Sequence, residues 1–317
     1  MKNASLALDR WMSPKMPLLI VLVLAVGLTC SGPVSRLCPY VTALMCFQTF
    51  SNSLGGSFRD LLRVLSHPRP VLAIFLALHV LMPLAALGIG SLCFPDRPLY
   101  TLSLVLEEAS PAAVSSLMWM VIGGGNVELC LSVVLLDTIL SPVILPLTLR
   151  LLCGSVVTLD TAGLVRDLVI MIVIPAALSM LFCRAVGKET CKGLKTHLGA
   201  VTKLTMLVII SANVTRCVPL LQGLDAGLLA LLVITLVMRL LGLAVGWALA
   251  RLLRFPYETA LTVTVNSSMR NNAVAGTLAA EFFPADVVFS PSVSPVFSQL
   301  CVSLAVRLFQ RYRPAED

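Results

Sequence analysis

Long apolar stretches alternate with short polar ones along almost the whole chain, and the apolar stretches have the length of membrane spans. A helix rises 1.5 Å per residue, so about 20 predominantly apolar residues cross the hydrocarbon core. Ten such stretches are legible, at about 16–33, 38–56, 70–92, 99–123, 126–152, 161–184, 198–217, 223–251, 257–281 and 285–308. The pattern predicts an all-α polytopic membrane protein of ten transmembrane helices joined by short loops. The first stretch follows Lys2, Arg10 and Lys15 in the manner of a signal peptide. No small-residue cleavage site is evident and nine further apolar stretches follow, so it is expected to be retained as the first span.

Two polar knots interrupt this pattern. One is Glu107-Glu108-Ala109-Ser110-Pro111-Ala112-Ala113-Val114-Ser115-Ser116 in the fourth stretch; the other is Asn266-Ser267-Ser268-Met269-Arg270-Asn271-Asn272 in the ninth. Polar and charged groups in hydrocarbon are costly, so spans that carry them usually line a route or a binding site. Pro111 removes an amide donor and clashes with the carbonyl four residues back, which breaks the helix. The asparagines and serines of the second knot compete for backbone hydrogen bonds and favour an unwound segment. Such backbone survives at membrane depth only where protein or a water-filled cavity surrounds it. A kinked helix with no further role accounts for Pro111 alone, but not for a guanidinium and three asparagines in seven positions.

Composition sharpens the class. The 317 residues are 58% hydrophobic and 12% charged, and the mean hydropathy is +0.95, values unlike those of a soluble domain. The net charge of +7 is not a nucleic-acid footprint, because the basic residues fall into alternate loops. One set holds Lys2, Arg10, Lys15, Arg59, Arg63, Arg69, Arg184, Lys188, Lys192, Lys195, Arg251, Arg254, Arg307, Arg311 and Arg313. The opposite side holds only Arg36, Arg97, Arg150 and Arg216. This bias predicts a multi-pass protein of the inner (plasma) membrane with both termini cytoplasmic. The ten cysteines are scattered without a CxxC pair, and small buried hydrophobes are their expected role.

The chain divides into two halves of five spans, residues 1–155 and 156–317, with the basic segment Gly187–His197 expected as a loop. An odd number of spans per half requires the second half to enter with opposite orientation, an inverted-topology repeat whose binding site lies near the midplane where irregular helices meet. The knots occupy the fourth and ninth spans, equivalent members of the two halves, so a cavity between two broken helices is the predicted site.

At these segments the chain resembles the bile acid sodium symporter family, from about the second span to the tenth. Many members read Pro-Gly-Gly-Thr-Ala-Ser-Asn in the fourth span, then Gly-Asn-Val opening the next helix and Ser-Pro near its far end. Pro111, Ser116, Gly125-Asn126-Val127 and Ser141-Pro142 fall at those spacings without a gap. Asn266-Ser267-Ser268-Met269-Arg270-Asn271 looks like the family's ninth-span motif, and Leu81-Met82-Pro83 and Phe255-Pro256-Tyr257 match common patterns. The resemblance implies a panel domain and a core domain, crossed discontinuous helices four and nine, and alternating access for an organic anion driven by two sodium ions.

The family's ion ligands are largely replaced here. Leu117, Cys130 and Val134 stand where that pattern has Asn, Ser and Thr, Asn266 stands for a glutamate, and Leu78 and Arg270 stand for glutamines; Ser116 alone is kept. A hard cation needs oxygen ligands that leucine, valine and cysteine do not offer, which argues against two bound sodium ions. One reading makes Arg270 a built-in cation that holds the crossed helices through their exposed carbonyls and presents its donors to a carboxylate. The other pairs Arg270 with Glu107 or Glu108; if one of these carboxylates titrates, the coupling ion is a proton.

His79 in the third span is either a proton relay or a neutral histidine held within the bundle. Asp137 and Arg239, near the middles of spans five and eight, are pathway residues or structural partners. Gly242 and Gly246 form a GxxxG step, expected to serve close packing. Gln48 and Asn52 face either the cavity or a neighbouring helix.

The function expected is secondary transport of a small carboxylate by alternating access. Its candidate substrate residues are Pro111, Ala112, Ser115, Ser116, Asn266, Ser267, Ser268, Arg270 and Asn271. Its candidate coupling residues are Ser116, Asn266, Arg270, Glu107, Glu108 and His79. No organic cofactor is expected; sodium remains the family's coupling ion, with its ligands mostly absent. The partners are a small organic anion and the bilayer, with no nucleic acid, and a monomer is expected. A sodium-coupled bile acid symporter and a transport-inactive membrane sensor are the alternatives. No HExxH, GxSxG or paired-aspartate arrangement supports an intramembrane enzyme.

Overall fold

The computed structural model describes residues 2–56, 68–156, 160–223 and 225–311; Arg59, Arg63 and Arg313 of the charge asymmetry lie outside the described residues. The described chain is helical apart from short connections. Among the described residues six helices are long and apolar enough to cross a membrane, and a bent pair brings the number to seven.

The helices follow in order. α1 (Lys2–Met12) turns by 88° into α2 (Met16–Thr29). α3 (Val41–Ser53) precedes α4 (Pro68–Cys93). The fourth stretch forms two helices, α5 (Pro98–Ala109) and α6 (Ser116–Gly123), followed by α7 (Val127–Cys153), α8 (Thr161–Val186), α9 (Lys188–Val214) and α10 (Ala226–Leu252). The ninth stretch is also broken, into α11 (Tyr257–Asn266) and α12 (Asn272–Phe282), before α13 (Ala285–Arg311).

Local chemistry sets many of these boundaries. Asn126 caps α7 by accepting from the amide of Leu129 at 2.8 Å, and Asp225 caps α10 by accepting from Leu228 at 2.8 Å, which satisfies amides that have no intrahelical partner. Pro83 lacks the amide that would bond the carbonyl of His79, and the residues before it, Ala77–Leu81, widen into a π-turn. Pro291 likewise frees the carbonyl of Val287, which accepts the Ser103 hydroxyl at 2.8 Å and so ties α5 to α13.

Two expectations change. Gly187–His197 is not a loop: α9 begins at Lys188, and the junction is Gly187 alone, at φ +92°, a left-handed value that glycine adopts readily. The segment's Lys, Glu and Leu residues are good helix formers, and Glu189 pairs with Lys192 at 3.0 Å. The cysteines are not all free and buried: Cys183 and Cys191, at the facing ends of α8 and α9, form a disulfide, Cys30 and Cys93 are exposed and Cys38 and Cys46 half-buried, while Cys130, Cys153, Cys217 and Cys301 are free and buried as expected.

α2, α3, α8 and α9 pack on one another as one layer. The broken helices pack with α4, α7, α10 and α13 as the other. A cavity of about 560 Å³ separates them, with Gln48 and Thr202 on one wall and Arg270 and Gln299 on the other.

Candidate functional site

The two breaks cross and hold each other. Residues 110–115 and 267–271 run antiparallel, with the amide of Ala113 donating to Met269 at 3.1 Å and that of Asn271 donating to Pro111 at 2.7 Å. This is the solution that the low-dielectric interior requires: each unwound segment satisfies the backbone groups the other exposes. Gly242 and Gly246 of α10 admit the second break. A Cβ at Gly246 would lie 2.8 Å from the Cα of Thr264 and from Ser267, and one at Gly242 would lie 2.9 Å from the Cα of Ser268. The close packing expected of the GxxxG step is therefore directed at the break itself.

A cluster of buried charges surrounds this crossing. Arg239 of α10 is fully buried; it pairs with Glu108, lies 3.3 Å from Glu107, and donates to the carbonyl of Ser268, whose hydroxyl donates back to the carbonyl of Arg239 at 2.7 Å. Arg270 Nε donates to Glu108 Oε2 at 3.1 Å, the pairing that one of the two readings of Arg270 requires. Glu107 also accepts from the Ser290 hydroxyl. Asp137 of α7 accepts the amide of Ala112 at 2.6 Å through Oδ2, while its Oδ1 lies 2.8 Å from His79 Nε2. The side chains of all these carboxylates and both arginines are at most 1% exposed, and that of His79 is 11% exposed.

The place of the expected ion ligands is taken by a closed trio. The Ser116 hydroxyl is 3.1 Å from Asn266 Oδ1 and 3.2 Å from Cys130 Sγ, and Asn266 Nδ2 donates to the carbonyl of Thr262 at 2.9 Å. The trio supplies two side-chain oxygens, which bond each other, and Leu117 and Val134 add none. Leu78 is buried among apolar side chains. Among the described residues no group of three or more His, Cys, Asp or Glu side chains is placed to hold a metal ion. The donor set does not fit the sodium sites that the resemblance implies.

Of the candidate substrate residues, Ser115, Arg270 and Asn271 line the large cavity. Pro111, Ala112, Ser116, Asn266, Ser267 and Ser268 are buried in the crossing, where they bond to neighbouring helices or backbone. The terminal nitrogens of Arg270 make no hydrogen bond although the side chain is buried. Gln48 Oε1, Asn272 Oδ1 and Ser298 Oγ on the cavity walls are also unbonded. Asp9, Lys195 and Lys203 line its far end, with Lys203 Nζ 2.7 Å from Asp9. Sequence reasoning had no basis for joining Arg239 to the two glutamates or His79 to Asp137. The available signal was that each is a charged or titratable group in mid-span and so needs a partner.

Comparison with known proteins identifies a family. The model of the Sodium Bile acid symporter family matches residues 42–222. The Bacillus subtilis (strain 168) protein YbaS is 33% identical over 269 residues, covering 85% of this chain and 88% of its own. The rice (Oryza sativa subsp. japonica) protein "Probable sodium/metabolite cotransporter BASS2, chloroplastic" is 25% identical over 277 residues, covering 86% and 64%. The B. subtilis "Uncharacterized sodium-dependent transporter YocS" is 24% identical over 251 residues, covering 78% and 76%. The chain therefore belongs to the sodium bile acid symporter family, a family of membrane transporters and not of enzymes.

Proposed function

We propose that the protein is a secondary carrier of a small organic anion, a carboxylate, that works by alternating access and keeps buried arginine charge where typical relatives bind sodium. The observation that carries this reading is Arg270: a buried guanidinium at the cavity wall whose terminal nitrogens have no partner. Four N–H donors in a fixed plane suit the two oxygens of a carboxylate. A cavity of about 560 Å³ is within the usual size of small-ligand sites, roughly 300–1,000 Å³. The unbonded Gln48, Asn272 and Ser298 oxygens around it suit hydroxyl or amide hydrogens on the same ligand.

Counting each broken pair and Val41–Ser53 as spans gives ten, and the breaks then fall in the fourth and ninth, in keeping with an inverted repeat. The basic residues support a cytoplasmic position for the Lys195 and Lys203 end of the cavity, which favours reading this conformation as inward-open. Rocking the α2, α3, α8 and α9 layer against the other would expose the crossing to the opposite side. The crossing requires no sodium to hold it: Arg239 bonds the carbonyl of Ser268, and the two breaks bond each other.

Proteoliposomes preloaded with unlabelled short carboxylates and diluted into labelled ones test the reading. Saturable exchange in sodium-free buffer is expected, and Arg270→Gln is expected to weaken it at least tenfold. Strict sodium dependence, or exchange unchanged by Arg270→Gln, would refute it.

A further inference from the structure

The charges at the crossing do not balance pairwise, and the group left over points to a second site. Glu107 and Glu108 face Arg239 and Arg270, two carboxylates against two guanidiniums. Asp137 is a third carboxylate at the same depth, with a fully buried side chain, and its ion-pair partner is His79. The Phe75 ring packs on the imidazole with centroids 5.1 Å apart.

The other charged groups on elements packed against α4 and α7 are engaged or lie towards helix ends. α5 brings Glu107 and Glu108, α10 brings Arg239, and the second break brings Arg270, which bonds Glu108 and also attracts Asp137. α11 carries Glu258 in its first turn, and on α8 Arg166 and Asp167 pair with each other at 3.0 Å. α6 and the remainder of α4 at this depth carry no charge. Three buried carboxylates at this depth thus face two guanidiniums, and the imidazole beside Asp137 balances the third when it holds a proton.

The geometry points to the His79–Asp137 pair as the site of a coupling proton, one per transport cycle, in place of a bound sodium ion. This rests on the carrier reading above. The proton enters from water on the side of higher acidity, is held by the His79–Asp137 ion pair, and returns to water on the other side, so no other reactant is consumed. Its effect is local. Asp137 Oδ2 holds the amide of Ala112, the residue whose neighbour Ala113 bonds Met269 across the crossing. Protonating the pair withdraws negative charge from that acceptor and loosens its grip on the first break, while an empty pair tightens it. His79 sits in the π-turn ahead of Pro83, a irregular helical segment of the kind often found at functional sites.

The test uses proteoliposomes in sodium-free buffer with radiolabelled lactate, pyruvate and malate as probes, corrected for passive entry of the neutral acids with protein-free liposomes. Exchange is measured at equal pH on both sides, and net accumulation under an inside-alkaline gradient. For one proton per substrate, each pH unit supports up to about tenfold accumulation. Wild type is expected to exchange and to accumulate. Asp137→Asn keeps an oxygen for the Ala112 amide and, like His79→Gln, is expected to retain exchange and lose gradient-driven accumulation. Exchange thus reports that the variants are folded. Accumulation that persists in both variants overturns the proton site while leaving the carrier reading intact. Absence of exchange of every probe by wild type overturns the carrier reading and this one together.

Discussion

Glu107 and Glu108 lie in the last turn of α5, at the negative end of its dipole, so each carboxylate needs a nearby cation more than it would elsewhere. Arg239 reaches both. Arg239→Leu leaves two buried carboxylates, Glu107 and Glu108, against one guanidinium. Removing one partner of a buried pair costs about 3–5 kcal/mol, and thermal unfolding of the purified variant is expected to show a corresponding fall in Tm. Arg97 and Asp225 behave differently because both are exposed, at 46% and 40%. The hydrogen bond from Arg97, and then that from the Leu228 amide, hold the Asp225 carboxyl below its ordinary range. A carboxylate depressed in this way adds stability above its ordinary pKa, about 3.9, and loses it as pH falls through the folded value. The Tm difference between wild type and Asp225→Asn is thus expected to be small near pH 7 and to vanish in acid, because solvent screens an exposed pair.

The broken helices were legible as elements because their cause is local. Pro111 forbids a continuous fourth helix, and five asparagine and serine side chains from Asn266 to Asn272 unsettle the ninth. What the breaks bond to was not legible, since pairing of Ala113 with Met269 is a contact across 156 residues that no local propensity encodes. The extension of α9 through Lys188–His197 was missed for a related reason. A span search weighs apolarity, whereas those residues are polar helix formers that continue the helix beyond the hydrocarbon. α1 lay outside the same search because it is short and amphipathic. The GxxxG step was legible as a packing device, but not that its partner is the break. Gly246→Ala would place a methyl group 2.8 Å from the Cα of Thr264, and overpacking of this kind costs roughly 1–3 kcal/mol. A lower Tm is expected, with a larger loss of exchange than the Tm change accounts for. An equal substitution at Gly88, whose Cβ would meet nothing within 4 Å, is the matched control and is expected to change neither.

At the scale of the whole molecule, two layers enclose a cavity whose wall is a crossing of unwound chains, and the cations at that crossing are covalently part of the protein. The change of ion chemistry proposed above is compatible with the family fold because the crossing has two separable needs, backbone satisfaction and charge balance. Antiparallel pairing of the breaks meets the first; towards the second, Arg239 and Arg270 offset Glu107 and Glu108, and Asp137 pairs with His79. Composition and hydropathy suffice to show a membrane protein, and the matched knots suffice to place its centre. The identity of the charge partners needs the three-dimensional arrangement, because His79, Asp137, Glu108, Arg239 and Arg270 come from five separate segments. Sodium binding to the purified chain, measured directly with radioactive sodium ions at equilibrium, tests this account without requiring the substrate to be known. No saturable binding is predicted in the millimolar range; saturable binding of one or two ions per chain would contradict the claim that arginine charge has replaced them.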